Sequence, residues 1–278
     1  MRAPIRRRPR GIPLRTLVPN AITALALCSG LFGIRFAIAG EWEKAAATIV
    51  LAAFLDIMDG RIARLLKGQS RFGAELDSLS DVTAFGVAPA VILYQWMLSV
   101  MGPDQPAHEY WARYGWLLAL AHAVCCALRL ARFNANIDAQ DQPHKSAGFL
   151  TGIPAPAGAG LALLPIFLWL WTGQHILHEP LLIAPWAALV AFLMVSNLAT
   201  FSWGSLRLRS QVRFGALVVM ALIGGALLTA PWPTLSLSAL LYAATIPFSI
   251  ASYARIKRQR AVAGAASHEP LRPGADAS

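Results

Sequence analysis

Asp56-Ile57-Met58-Asp59-Gly60-Arg61-Ile62-Ala63-Arg64 is followed, eight residues on, by Gly73-Ala74-Glu75-Leu76-Asp77-Ser78-Leu79-Ser80-Asp81. Four aspartates thus stand at the margins of two long apolar segments. An ionised carboxylate costs roughly 2.5–3.5 kcal/mol at the centre of a membrane helix on insertion scales, and less near the interface. Such groups face a cavity, pair with cations or bind metal, so they mark a functional site. Residues three or four apart share a helix face. Asp56, Asp59, Gly60, Ala63 and Arg64 therefore fall towards one side of one helix. Gly73, Asp77 and Asp81 form a stripe on the next. The short connection at 66–72 makes the two helices antiparallel neighbours, with both carboxylate pairs near one end of the hairpin. Hard cations such as Mg²⁺ or Mn²⁺ take oxygen ligands, and Mg²⁺ favours carboxylates together with substrate phosphates. Two carboxylate pairs on facing helices suit two such ions with a pyrophosphate between them. Gly60, Ala63 and Gly73 leave room beside the carboxylates, either for a ligand or for backbone packing.

The run fits D-x2-D-G-x2-A-R-x8-G-x3-D-x3-D at every defined position, and so resembles the CDP-alcohol phosphatidyltransferases. Pro19-Asn20, Glu75 to Pro89, Arg129-Leu-Ala-Arg-Phe-Asn134 and Thr151-Gly-Ile-Pro-Ala-Pro156 are similar to the membrane phosphatidylserine synthases of bacteria. The likeness covers residues 15–160 well and the remainder in general character only.

Around this hairpin the chain reads as a membrane protein. It has 278 residues, 56% of them hydrophobic and 14% charged, with a mean hydropathy of +0.53. Several apolar runs approach or exceed the length that crosses a bilayer. About eight spans are expected, near 17–39, 44–66, 79–101, 114–133, 156–173, 181–201, 214–230 and 235–254. The runs are too long and continuous for barrel strands, so the fold class is an all-α, polytopic transmembrane bundle. Residues 1–16 read as a basic cytoplasmic tail, 17–255 as the transmembrane catalytic domain, and 256–278 as a disordered cytoplasmic tail. The first span lacks a small-residue cleavage site and reads as retained.

The net charge of +10 raises nucleic acid as a partner. The basic residues, however, cluster between apolar runs and lack interleaved aromatics, so anionic lipid and membrane orientation explain them. With the N-terminus inside, 21 of the 24 Lys and Arg fall on the cytoplasmic side. That asymmetry puts both termini and the aspartate hairpin in the cytoplasm; the resemblance implies the bacterial inner membrane. Trp96, Trp111, Trp116, Trp169, Trp171 and Trp232 fall near span ends, as interfacial anchors do.

Cys28, Cys125 and Cys126 form neither a disulfide nor a metal pattern and read as buried thiols. His122 lies inside a span and reads as a structural, hydrogen-bonded histidine. No zinc spacing, nucleophile elbow or Walker loop is present. Arg129 and Arg132, one turn apart and followed by Asn134 and Asn136, are either flanking charge or a fork for a carboxylate or phosphate oxygen. Lys145 is a weaker candidate. Thr151, Gly152, Pro154 and Pro156 mark either a helix start or a substrate-shaping bend.

What the resemblance implies is transfer of a phosphatidyl group from CDP-diacylglycerol to L-serine, giving phosphatidylserine and CMP with two Mg²⁺ or Mn²⁺ ions. It implies that Asp56, Asp59, Asp77 and Asp81 hold metal, with Asp81 held weakly enough to act as general base. Asn20, Asp59, Gly60, Ala63, Arg64 and Gly73 would meet CDP-diacylglycerol. Arg129, Arg132, Asn134 and Thr151 are the acceptor-side candidates. A homodimer is also implied. The same signature would serve another alcohol, glycerol 3-phosphate or inositol phosphate. A cation transporter using membrane aspartates is the non-enzymatic rival, but it leaves Gly60, Ala63, Arg64 and Gly73 unexplained and has no repeated aspartate-bearing half.

Overall fold

The computed structural model describes residues 14–102, 104–135, 149–196, 198–201 and 210–267. Within them the protein is an all-α assembly. Helix α1 (Leu14–Ile38) and α2 (Trp42–Leu65) form an antiparallel pair. A continuous rod follows, made of α3 (Arg71–Asp81), a π-helical stretch (Val82–Val87) and α4 (Ala88–Leu98). Then come α5 (Pro106–Ala135), α6 (Ala155–Ala162), α7 (Leu164–Thr172), a 3-10 turn (His175–His178), α8 (Pro180–Val195), α9 (Ser210–Thr229) and α10 (Pro231–Ser267). Two three-residue strands, β1 (Phe149–Thr151) and β2 (Ala199–Phe201), pair antiparallel with Leu150 opposite Thr200.

Four segments are long and apolar enough to cross a membrane: α1, the rod Arg71–Leu98, α5, and Pro231–Arg255 of α10. The bent pair α6–α7 makes a fifth if it counts as one span. Each expected apolar stretch has a helix at its core, but the one at 181–201 ends in strand β2, α8 and the part Phe214–Thr229 of α9 are shorter, and the charged residues of α2 hold it below the same apolarity. Helix α10 continues past residue 255, the expected end of the membrane domain. Residues 1–13, Asn136, His144, Lys145, the basic loop 202–209 and residues from 268 lie outside the described residues, as does the Thr151 side chain.

Small residues set the closeness of the helices. A Cβ on Gly30 would come 2.8 Å from the Ala84 Cα, and one on Gly33 would come 2.8 Å from the Thr48 hydroxyl. Ser29 adds a hydroxyl bond to the Thr48 carbonyl at 2.7 Å. Prolines set the breaks. Pro165 has no N–H for the Leu161 carbonyl, and its ring clashes there. The chain bends by 45° between α6 and α7, and Trp186 Nε1 donates to the freed Leu161 oxygen at 2.7 Å. Pro89 likewise leaves the Phe85 carbonyl without its α-helical donor. His122 Nε2 takes that oxygen at 3.3 Å, and the backbone relaxes to the wider π pattern, with Ala88 N–H reaching the Thr83 oxygen.

Trp96 departs from the interfacial reading. It is fully buried, with its ring 3.9 Å from His178 and 6.1 Å from Trp169. At the same end of the bundle, Trp232 of α10 donates to Glu43 of α2 at 3.2 Å and stacks on Phe167. The last helix is thereby fastened to the pair that carries the aspartates.

Candidate active site

The hairpin between α2 and α3 is built by local backbone chemistry. Lys67 takes a left-handed φ of 50°, which turns the chain out of α2. Gly68 then passes directly under the Arg15 carbonyl, where any side chain would collide. That carbonyl is already without an α-helical donor, because Pro19 stands four residues on. Ser70 caps α3, its hydroxyl accepting from Gly73 N–H at 3.0 Å, as N-cap serines do.

This turn brings α3 back against α1, with its aspartates facing those of α2. One oxygen each from Asp56, Asp59 and Asp77 lie within 4.8 Å of one another. Asp81, one turn beyond Asp77, stands outside that triad but reaches Asp56 within hydrogen-bond contact. Three carboxylates converging at this spacing form a hard, all-oxygen donor set, which fits a divalent cation such as Mg²⁺ or Mn²⁺.

Asp59 is only 5% exposed. Its Oδ2 accepts a 2.5 Å hydrogen bond from the Thr23 hydroxyl of α1, itself buried. The same hydroxyl lies 3.1 Å from the Pro19 carbonyl, so its single proton is shared between helix and carboxylate. Ser80 donates to the Thr23 carbonyl at 3.1 Å, which locks α3 onto α1 on the far side of the aspartates. Neither Thr23 nor Ser80 was marked by the sequence pattern. Their only local hint is that Thr23 sits one turn from Asn20.

Other expected residues sort by position. Asn20 packs against Gly73: a Cβ there would lie 2.8 Å from the Asn20 Oδ1. Gly60 faces open space, Ala63 is half-buried and Arg64 is exposed. Arg129 is the arginine of the pair that enters the site: it is partly buried and lies within electrostatic reach of Asp81. Arg132 is exposed. Asn134 Nδ2 donates to Ser78 Oγ at 2.8 Å, which ties the end of α5 to α3. Thr151 lies in β1, a strand that Gly152 ends with a φ of +70°, passing so close to the Met194 and Ser196 carbonyls that a side chain would not fit.

The arrangement can hold a cation between two helices and offer a separate carboxylate beside a guanidinium. Residues 16–203 match the model of the family described as CDP-alcohol phosphatidyltransferase. Among similar proteins is the CDP-diacylglycerol–serine O-phosphatidyltransferase of Mycobacterium tuberculosis, 37% identical over 243 residues, 87% of this chain and 81% of that one. The protein of the same name from Helicobacter pylori is 35% identical over 184 residues, covering 66% and 70%. That from Bacillus subtilis is 31% identical over 182 residues, covering 65% and 88%.

Proposed function

The chain belongs to the CDP-alcohol phosphatidyltransferase family, and from that premise we infer that it transfers the phosphatidyl group of CDP-diacylglycerol to L-serine. The observation that carries this is the convergence of Asp56, Asp59 and Asp77 on one point between α2 and α3. Relatives named for serine as acceptor favour it over glycerol 3-phosphate or inositol phosphate.

In the reaction the serine hydroxyl oxygen bonds to the phosphorus that carries diacylglycerol, the bond from that phosphorus to the CMP phosphate breaks, and CMP leaves. Asp56, Asp59 and Asp77 would hold the metal, with Asp81 completing a second site. Bound there, two Mg²⁺ or Mn²⁺ ions would neutralise the pyrophosphate and stabilise the departing phosphate. Asp81 takes the hydroxyl proton. Its place outside the triad supports this role, because a carboxylate fully engaged by metal is a poor base. Thr23 fixes Asp59 in orientation. Gly60 and Ala63, on the open side of α2, and Gly73 with Asn20 would lie along the cytidine and ribose. Arg64 contacts a phosphate or braces the hairpin. Arg129 faces the acceptor. Arg132 and Thr151 are weaker acceptor contacts, and the bond from Asn134 to Ser78 favours a bracing role for that residue.

The protein is membrane-embedded. The charge asymmetry supports an inner-membrane orientation with termini and site in the cytoplasm, and tails at 1–16 and after 255. Counting α2, the bent pair, α8 and α9 as crossings makes about eight spans. The family likeness supports a homodimer. Purified protein given CDP-diacylglycerol and Mn²⁺ should release CMP with L-serine. Release with glycerol 3-phosphate or inositol phosphate, and none with serine, would reassign the acceptor.

A further inference from the structure

Behind Asp81 the structure holds a second polar cluster, made by elements far apart in sequence. Arg129 of α5 lies within electrostatic reach of Asp81 on one side and of Tyr242 of α10 on the other. The Arg129 Nε is buried and makes no hydrogen bond to protein, and the buried Tyr242 hydroxyl lies beside the Thr200 hydroxyl. Buried donors are nearly always satisfied, so an orphaned guanidinium N–H within electrostatic reach of a buried phenol calls for an explanation. The Thr200 hydroxyl donates to the Gly152 carbonyl at 2.7 Å, so towards the phenol it offers an acceptor oxygen. Strand β2 packs on α10, and its pairing with β1 fixes Thr200 in place. The ribbon thus gives the phenol a neutral acceptor, weaker than a carboxylate would be. Tyr242 also lies beyond residues 16–203, where the family pattern ends.

We propose that Tyr242 and Arg129 form the carboxylate-binding half of the acceptor site and so select an amino-acid alcohol. The proposal rests on the serine reading above and adds a specificity-determining residue from the last helix. The Arg129 N–H and the Tyr242 O–H donate to the α-carboxylate. A guanidinium and a phenol balance one negative charge, which suits a carboxylate better than a phosphate monoester. Only two carbons separate the carboxyl carbon of serine from its hydroxyl oxygen. An anion held at Arg129 therefore presents that hydroxyl to Asp81, the neighbour of Arg129. A site built to hydrogen-bond a substrate group rejects analogues that lack it, because its own buried donors are then left unpaired.

The test is CMP release by the purified full-length protein, with CDP-diacylglycerol, Mn²⁺, and L-serine, L-serinamide or ethanolamine as acceptor. Wild type should favour L-serine over both carboxylate-free alcohols. Tyr242→Phe should raise the KM for L-serine about tenfold to a hundredfold, the range for one hydrogen bond to a charged group. Its kcat and its KM for CDP-diacylglycerol should hold, and its preference over serinamide should shrink by the same factor. Arg129→Lys, which keeps the charge but loses the fork, should shift the preference in the same direction. Equal use of serine and serinamide by wild type would overturn the proposal without any variant. So would an unchanged serine KM in Tyr242→Phe, or equal rises for serine and CDP-diacylglycerol. A wild-type protein that ignores serine and uses another alcohol would instead overturn the acceptor reading itself.

Discussion

Thr23→Val tests whether the buried hydroxyl of α1 is part of the metal site. Valine keeps the shape of threonine, so packing around this buried position is preserved and only the donor is lost. At 2.5 Å, the bond from Thr23 to Asp59 is at the short end of the charge-assisted range. Such bonds contribute about 1.5–3 kcal/mol. If the bond orients Asp59 for metal, its loss should weaken the cation about tenfold to a hundredfold, taking 1.4 kcal/mol per decade as a rough conversion. The readout is the Mn²⁺ concentration that half-activates CMP release at saturating CDP-diacylglycerol, together with direct Mn²⁺ titration. Thr23→Ser keeps the hydroxyl and should stay close to wild type. A valine variant with an unchanged half-activating concentration would refute the reasoning and reduce Thr23 to a helix-packing residue.

Asp81→Asn should retain CDP-diacylglycerol binding but lose CMP release, whereas Asp56→Asn should weaken metal-dependent binding and rate together; equilibrium binding and turnover on the same preparations separate the two. Chelation should abolish CMP release, and added Mg²⁺ or Mn²⁺ should restore it. Gly68→Ala drives a methyl into the Arg15 carbonyl and should cost about 1–3 kcal/mol in an unfolding assay. Gly60→Ala, with no atom within 4 Å of the added methyl, should leave stability intact while raising the KM for CDP-diacylglycerol. His178 lies in the 3-10 turn between spans, where burial, and then the charge of His175, pull its pKa from the ordinary 6.5 down to about 4. Between those values the unfolded chain binds the proton more readily, so stability is fully present above 6.5 and falls as pH drops towards 4. The thermal midpoint should decline across that window in wild type and be flatter in His178→Phe.

The aspartate cluster was legible because it obeys a local rule. Side chains at i, i+3 and i+4 share a helix face, and a short connection makes consecutive helices neighbours. Asp56, Asp59 and Asp77 needed nothing more. Thr23 was not legible, because it meets Asp59 across 36 residues, through a contact between helices that no periodicity records. Trp96 looked interfacial from its place near a span end, yet the 3-10 turn folds His178 over it. The carbonyls freed by Pro89 and Pro165 could have been anticipated, since proline always withholds one donor. Their partners His122 and Trp186 could not, because each comes from a different helix. The number of crossings was the least legible feature. The aspartates that α2 brings to the cluster also help remove it from the class of plainly apolar helices.

Charge balance unifies these features. Were all four carboxylates ionised, the guanidinium of Arg129 would leave three negative charges uncompensated between apolar helices, an expensive arrangement in this setting. The pyrophosphate of CDP-diacylglycerol would add about two more. One divalent cation would still leave three, whereas two bring the loaded site to within about one charge of neutrality. The substrate and a second cation would therefore favour each other's binding, since each carries the charge the other needs. Arg129 cannot serve that balance alone. It lies at the edge of the cluster, facing Asp81 on one side and Tyr242 on the other. That position would suit an arginine that handles the acceptor, with the liponucleotide's charge met by cations at the triad. Separating the two duties would let Asp81 lie between metal and acceptor, engaged by neither so firmly that it could not take a proton.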